Sequence, residues 1–316
     1  MSAPGAGRPL VTRSEFDEVF KRCDNRGRWG ADDQRGALNF LTPDRVVASA
    51  GLVHSGRTVS CGWQLDTELG PDNPQPVTHE MTLSFEKTFG DSGELRIAGD
   101  RFSMAVHGDA HSHVDALCHV GFSGTTYNGV PLERAIGPDG ALTQSVDVIG
   151  HGIVTRGVLV DIPRHRTVRW LEPGDCVLPD EFLAAEEETG ARVGRGDLLL
   201  LRTGHSEKRA TDGPWDAANA KAGIHVSLLP ILHEREIVGV GYDGDGEVMP
   251  RICEDVTYPI HAISLPALGW WTMDSLKLDD LARACEEEGR WEFQLVVAPL
   301  RIAAGTGSPV NPIAVF

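Results

Sequence analysis

Several features that would assign this chain to a common class of protein are missing from its sequence. None of its apolar runs approaches the roughly 20 residues that a membrane-spanning helix requires, so we expect no membrane partner. The six cysteines are scattered and form no Cys-x-x-Cys pair, which predicts free thiols in a reducing cytoplasm. The first ten residues are rich in glycine, proline and alanine and lack the apolar segment of a signal peptide.

Basic residues are also few. The chain carries 46 acidic and 29 basic residues, a formal net charge of -17. A field of this sign repels phosphate backbones and anionic membranes. Nucleic acid is therefore excluded as a partner, and a small-molecule substrate is expected instead.

Two common catalytic signatures are absent as well. No Gly-x-Ser-x-Gly elbow occurs, which argues against a serine hydrolase. No Gly-x-Gly-x-x-Gly turn follows a strand to open a helix, which argues against a dinucleotide-dependent enzyme.

The patterns that are present predict an α/β fold. Apolar, β-branched runs predict strands, and runs with capping residues predict helices. We expect residues 1–12 to be a flexible tail and residues 13–316 to form one domain, with a central mixed, partly barrel-like sheet and peripheral helices. The strands are predicted at 78–85, 157–161, 197–203, 237–242 and 291–299, the helices from Ser14 and Pro43 and at 179–188, 227–236 and 276–288, and a loop at 305–309.

A cluster of histidines carries the chemistry. Six potential metal ligands fall within thirteen residues: His107, Asp109, His111, His113, Asp115 and His119. On a strand, alternate residues share one face, so His111, His113 and Asp115 would converge on one point. Imidazole and carboxylate together suit Zn or Mn. His119 follows an apolar turn and is placed to reach over the metal as a proton carrier.

The segment Ser112-His113-Val114-Asp115-Ala116-Leu117-Cys118-His119 resembles the His-x-Gly-Thr-His-x-Asp-x-Pro-x-His signature of the metal-dependent cyclase-like hydrolases, the family of kynurenine formamidase and isatin hydrolase. The resemblance extends to 29–39 near the start of the chain, and to 258–261 and 299–309 near its end. It therefore covers nearly the whole chain and implies the swivelling β/β/α fold of that family.

The resemblance also implies roles for individual residues. His113 and Asp115 correspond to metal ligands and His119 to the catalytic base. His261 matches a later metal-site histidine, and Asp274 falls about where two-metal members place a glutamate. Family members assemble as dimers or tetramers, so a homodimer or homotetramer is expected.

Two departures from the signature leave the number of metal ions open. Asp109 stands where the family has its first histidine, and His111 replaces the motif glycine. In one arrangement Asp109 takes over that role and a second ion shares Asp115 with His261 and Asp274.

In the other arrangement a single ion is held by His113, Asp115 and a residue such as His111 or His261. A straight strand would place Asp109 about 20 Å from Asp115, which is too far for one ion to bridge. We therefore expect one ion, with Asp109 not among its ligands.

Three further residues are candidates for substrate contact. His225 precedes a helix, Tyr127 lies just beyond His119, and Trp271 belongs to a Trp-Trp pair that would form a pocket wall. A helix cap, a tight turn and core packing are the respective alternatives.

These observations predict a hydrolase that cleaves the C–N bond of a small amide, cyclic amide or arylformamide with metal-activated water. A cyclase or lyase that acts on a biosynthetic intermediate at the same metal is the alternative. A non-catalytic metal-binding module is a third interpretation, and the presence of His119 argues against it.

Overall fold

A mixed nine-stranded sheet forms the centre of the protein. The structure is a computed structural model that describes residues 10–316. The strands of the sheet, in the order in which they lie side by side, are β1 (Thr58–Ser60), β15 (Ile313–Val315), β13 (Glu292–Val297), β7 (Ile153–Asp161), β9 (Leu198–Arg202), β11 (Gly239–Tyr242), β12 (Met273–Asp274), β4 (His113–Asp115) and β14 (Gly307–Pro309). Two-stranded sheets are formed by β2 (Thr78–Phe89) with β3 (Leu95–Ser103), β5 (Ile136–Gly137) with β6 (Gly140–Ala141), and β8 (Cys176–Val177) with β10 (Gly223–Ile224).

The middle of the sheet is parallel and its margins are antiparallel. β7, β9, β11 and β12 run in one direction, and β9 consists of four leucines and Arg202, all buried. A strand buried on both faces is typical of a parallel sheet covered by helices. Toward one margin, β13 alternates half-buried and buried residues, as a strand with one face toward the core does. The predicted mixed, partly barrel-like sheet is confirmed.

Helices surround the sheet, and three of them begin or end at a predicted residue. They are α1 (Arg13–Arg22), α2 (Pro43–Ala50), α3 (Leu132–Ala135), α4 (Ile162–Arg166), α5 (Pro179–Thr189), α6 (His205–Asp212), α7 (Leu229–Glu234), α8 (Pro259–Ile263) and α9 (Asp279–Glu288). α2 and α5 start at a proline that follows an extended residue. α9 ends at Gly289, whose φ of 66° suits a glycine cap.

The first helix starts earlier than the sequence predicted. Thr12 caps α1, because its hydroxyl accepts from the backbone of Glu15 and the Glu15 carboxylate accepts from the backbone of Thr12. The prediction had placed the cap at Ser14. Val11 donates to the carbonyl of Ile252 at 2.8 Å, so the last two residues of the predicted tail contact the domain. Residues 1–9 of that tail lie outside the described residues.

Two predictions near the histidine cluster were wrong in extent. Of the extended segment expected over 109–115, only His113–Asp115 is a strand. The loop expected at 305–309 instead contributes β14, which pairs with β4 and so joins the central sheet. Both differences arise from contacts between distant segments, which local sequence patterns do not report.

Two predictions based on absent features can be compared with the structure. No helix among residues 10–316 combines the length and the apolar character needed to cross a membrane. Five of the six cysteines are free and buried, namely Cys23, Cys61, Cys118, Cys253 and Cys285.

Candidate metal centre

Two strands and a short helix bring histidine and aspartate side chains to one point. β4 pairs with β12 so that His113 lies opposite Asp274. His113 Nε2 lies 3.5 Å from Asp115 Oδ1 and 3.9 Å from Asp274 Oδ2. His261, on α8, places its Nε2 3.1 Å from Asp274 Oδ2 and 3.7 Å from Asp115 Oδ2. Two carboxylates and two imidazoles from distant parts of the chain therefore converge.

Hydrogen bonds at Nδ1 hold the two imidazoles in a defined orientation. His113 Nδ1 lies 2.8 Å from the carbonyl oxygen of His111, which can only accept, so Nδ1 carries the proton. His261 Nδ1 lies 2.9 Å from Oε1 of the buried Glu247, which also accepts from the His261 backbone N–H at 2.8 Å. In each ring Nε2 is then turned toward the aspartates. Histidines that bind metals are usually supported in this way.

His107 joins the same point because the chain before β4 bends back. Gly108 has a φ of 146°, which favours glycine, and the chain bends over residues 106–111. His107 Nδ1 consequently lies 2.9 Å from Asp115 Oδ1, and its Nε2 lies 3.0 Å from Thr306 Oγ1. A Cβ at Gly307 would come within 2.7 Å of the His107 ring, so the residue at 307 must be small.

His119 completes the arrangement. Its ring stacks on that of His107, with centroids 3.6 Å apart and planes 5° from parallel. Burial lowers the pKa of His119 to about 4, so its imidazole is neutral near pH 7 and keeps a lone pair. We call the six residues at this point the ligand group: His107, His113, Asp115, His119, His261 and Asp274.

The ligand group and Glu247 bring buried carboxylates close to one another. Although burial opposes the charge of His261, Asp274 and Glu247 hold its pKa well above the ordinary value. Burial raises the pKa of Asp274 and of the neighbouring Glu247. Although burial also opposes the charge of Asp115, the hydrogen bond from His107 and the nearby His119 hold the pKa of Asp115 below its ordinary value. Buried carboxylates are stable only when a counter-charge or hydrogen-bond donors accompany them.

These donors suit a divalent cation. Ligand atoms of His107, Asp115 and His119 lie within 4.8 Å of one another, and so do those of His113, Asp115 and Asp274. Asp274 Oδ1 is buried and has no hydrogen-bond partner among the described residues, as expected of an atom reserved for an ion. Because Asp115 belongs to both sets, there is room for one ion or for two, and the expected single ion stays a prediction.

A cavity of about 290 Å³ opens in front of the ligand group. All six members of the group line it, and Val120, Ala218 and Tyr258 contribute apolar surface. Cavities of this size hold small molecules rather than polymers.

Another part of the cavity lining contains a buried ion cluster. Lys221, which is 3% exposed, places its Nζ 2.7 Å from Asp109 Oδ1 and 2.6 Å from Asp245 Oδ2. We call Asp109, Lys221 and Asp245 the lysine cluster. It explains the departure at Asp109, whose carboxylate pairs with the ammonium group and does not enter the ligand group.

Two predicted histidines lie elsewhere. The ring of His111, predicted as a ligand, accepts from the backbone N–H of Asp66 at 3.1 Å and faces a neighbouring cavity. The alternation that predicted convergence fails because residues 109–112 are not extended. His225, predicted to contact substrate, lies beside α1 and its Nδ1 is 2.7 Å from Ser227 Oγ.

Two predicted aromatic contacts are buried in the core and do not line the cavity. Tyr127 donates its hydroxyl to Asp33 Oδ2 at 3.0 Å, and Trp271 donates its indole N–H to the carbonyl of Arg35 at 3.0 Å. Both side chains therefore anchor the segment 33–35.

Four residues that line the cavity or contact a member of the ligand group were not among the predicted site residues: His107, whose role had stayed open, Lys221, Asp245 and Glu247. His107 lay within the histidine cluster, and the adjacent Gly108 was a signal for the bend. Asp245 and Glu247 belong to a run rich in glycine and acids whose composition favours a turn. Lys221 carries no local signal, because only burial distinguishes it from a surface charge.

A mixed sheet whose strands present buried histidines and aspartates to a cavity defines a cyclase-like enzyme. The family model named Cyclase matches residues 63–245, more than half of the sequence, and the chain belongs to this family.

Solved structures agree with this assignment. One described as a novel cyclase is 32% identical, covers 94% of this chain and 99% of its own, and superposes with a TM-score of 0.83. Isatin hydrolase A from Labrenzia aggregata, bound to benzyl benzoate, is 23% identical with a TM-score of 0.55 and covers 86% of this chain and 97% of its own. Isatin hydrolase A from Ralstonia solanacearum is 22% identical with a TM-score of 0.56 and the same coverage. The two isatin hydrolases share the fold. No curated protein matches the sequence.

Proposed function

We propose that the protein is a metal-dependent hydrolase that cleaves the C–N bond of a small amide, cyclic amide or arylformamide. The observation that carries the proposal is the buried ligand group, in which imidazoles supported from behind face two aspartates across a few ångströms. Buried acids need a counter-charge, which a bound cation would supply, and the cavity gives a substrate access to it.

The ligands in this proposal are His113, Asp115, His261 and Asp274, with His107 as an additional donor. Nitrogen and oxygen donors of this kind suit Zn or Mn. A bound divalent ion supplies Lewis-acid polarisation of the substrate carbonyl and lowers the pKa of water toward about 7.

His119 handles the proton. Its neutral imidazole faces the cavity and can accept a proton from the attacking water, then return it to the leaving nitrogen. Stacking against His107 keeps the ring in place between the two transfers. The apolar edge at Val120 and Tyr258 would hold the organic part of the substrate.

Metal analysis combined with product analysis tests the proposal. Purified protein should contain Zn or Mn near stoichiometry, and a chelator should abolish hydrolysis of an arylformamide or cyclic amide until metal is restored. Activity that survives chelation in protein without a transition metal would contradict it. Ring-closed or dehydrated products from a biosynthetic intermediate, without hydrolysis, would favour the cyclase alternative.

We also propose that copies of the chain assemble as a homodimer or homotetramer. Among residues 10–316, six of the twenty exposed large apolar side chains lie on the ribbon formed by β2 and β3, namely Met81, Phe85, Phe89, Leu95, Ile97 and Phe102. An isolated two-stranded ribbon is marginally stable, and such apolar surface usually meets a partner. Light scattering should report a multiple of 34.1 kDa, and a monomer at micromolar concentration would contradict the assembly.

A further inference from the structure

Lys221 is an ammonium group held rigidly between two acids. Its backbone exchanges two hydrogen bonds with Met249, at 3.1 and 2.9 Å, and its carbonyl also accepts from Gly174. The side chain therefore starts from a braced backbone and ends between Asp109 and Asp245. A group so enclosed does not serve solubility, since it is nearly removed from water.

Hydrogen bonds connect the lysine cluster to His261. Asp245 Oδ1 accepts from the backbone N–H of Glu247 at 3.0 Å. Glu247 Oε1 in turn accepts from the His261 backbone at 2.8 Å and lies 2.9 Å from its Nδ1. A continuous series of contacts therefore connects the Lys221 ammonium group to the imidazole of His261.

A second path leads to Asp274 and His113. Ser275, the residue after Asp274, donates its hydroxyl to the carbonyl of Asp109 at 3.0 Å. The carbonyl of Ser275 accepts from Ser112 Oγ at 2.6 Å, next to His113. Asp109 therefore belongs to a segment fastened to the strands that carry the other ligands.

We propose that Lys221 is a positioning residue for the metal centre, one that holds the Asp109 and Asp245 segments together and thereby orients His261 toward Asp274. Without the ammonium group, Asp109 and Asp245 would be buried acids facing each other, and their repulsion would move both segments. The inference rests on the proposed metal-dependent function.

Binding of Co²⁺ to metal-free protein tests this role independently of any substrate. Residues that support metal ligands typically contribute about 10–100-fold to metal affinity. We expect Lys221→Met to weaken Co²⁺ binding by about that factor and to alter the visible absorption of the bound ion, and Lys221→Arg to restore much of both. Asp245→Asn, which leaves Lys221 paired with Asp109, should act in the same direction and serves if Lys221→Met does not fold.

Lys208 offers a matched control. It also pairs with two carboxylates, Asp212 at 2.8 Å and Glu172 at 3.5 Å, but these are exposed and do not line the cavity. Lys208→Met should bind Co²⁺ as the wild type does. If Lys221→Met, or Asp245→Asn in its place, binds Co²⁺ with unchanged affinity and spectrum, the positioning role is refuted. If the wild type itself binds no Co²⁺, the metal-dependent function fails, and the inference with it.

Discussion

The ligand group and the lysine cluster both line the cavity, and they bury acidic groups in different ways. In the lysine cluster, Asp109 and Asp245 share the ammonium group of Lys221. In the ligand group, Asp115 and Asp274 face imidazoles and have no lysine or arginine beside them, because Lys221 is the one lysine, and there is no arginine, among the cavity-lining residues within 10–316. The lysine cluster thus contains its own cation, whereas the ligand group leaves room for an ion from solution.

This difference follows from the cost of burying charge. A carboxylate removed from water must be paired or neutralised. A covalently attached ammonium is always present and keeps the lysine cluster assembled, while an imidazole that gives up its proton offers a lone pair to a metal. Substitutions of different residues around the cavity should therefore have different consequences, in metal content, in reaction rate or in metal affinity.

The largest effect is expected for Asp115, which belongs to both sets of ligand atoms. Asp115→Ala should lose metal and reduce hydrolysis to background, because either ion position depends on its carboxylate. Elemental analysis and a hydrolysis assay measure both, with circular dichroism to verify the fold. Asp100→Ala, which removes an exposed carboxylate on β3, is the control. Full metal content in Asp115→Ala would contradict the assignment.

His119 should separate rate from metal binding. As a general base it is worth about 10²–10⁴-fold in rate. His119→Ala should lose that factor in kcat while elemental analysis still finds the metal. A metal-free variant would show that His119 is a ligand and that its role as proton carrier is wrong.

Glu247 should have a smaller effect, on affinity. Glu247→Gln keeps the size of the side chain but weakens the support of His261 Nδ1, so metal affinity should fall by about 10–100-fold. Titration of the metal-free variant with Zn²⁺ or Mn²⁺ measures this. Glu286→Gln, on the exposed face of α9, provides the comparison. Equal metal affinities for the two variants would contradict the role of Glu247 in supporting His261.

The smallest effect is expected for His225, which does not line the cavity. His225→Ala removes a cap of the turn before α7 and should cost about 1 kcal/mol of stability. It should leave kcat/KM within about twofold of the wild type, as for most substitutions away from a site. A larger loss in kcat/KM, measured on the folded variant, would show that His225 contributes to substrate binding.

Much of the fold was predictable because its signals are local. Four consecutive leucines at 198–201 predict a strand buried on both faces, and Pro179 and Gly289 mark helix ends through their own backbone preferences. The class of site was predictable too, because six donor side chains within thirteen residues are rarely accidental. The boundaries that shifted, such as the start of α1, depended on which of two nearby hydroxyls makes the cap.

The membership of the site was only partly predictable. His113 and Asp115 are two residues apart on one strand, so their common direction follows from strand geometry. The same rule failed for His111, since the segment before β4 bends at Gly108 and turns that ring toward Asp66. His261 and Asp274 were expected through resemblance to a family, whose pattern already contains the tertiary contacts.

The sequence by itself determined the type of chemistry, because nitrogen and oxygen donors are properties of residues. It also determined the central strands and many of the helix ends, because apolar runs and caps act over a few residues. Only the tertiary structure decided that His107 folds onto Asp115 and that Asp109 pairs with Lys221. Those contacts join segments up to 112 residues apart, and whether a charged side chain is buried beside a partner depends on how such segments pack.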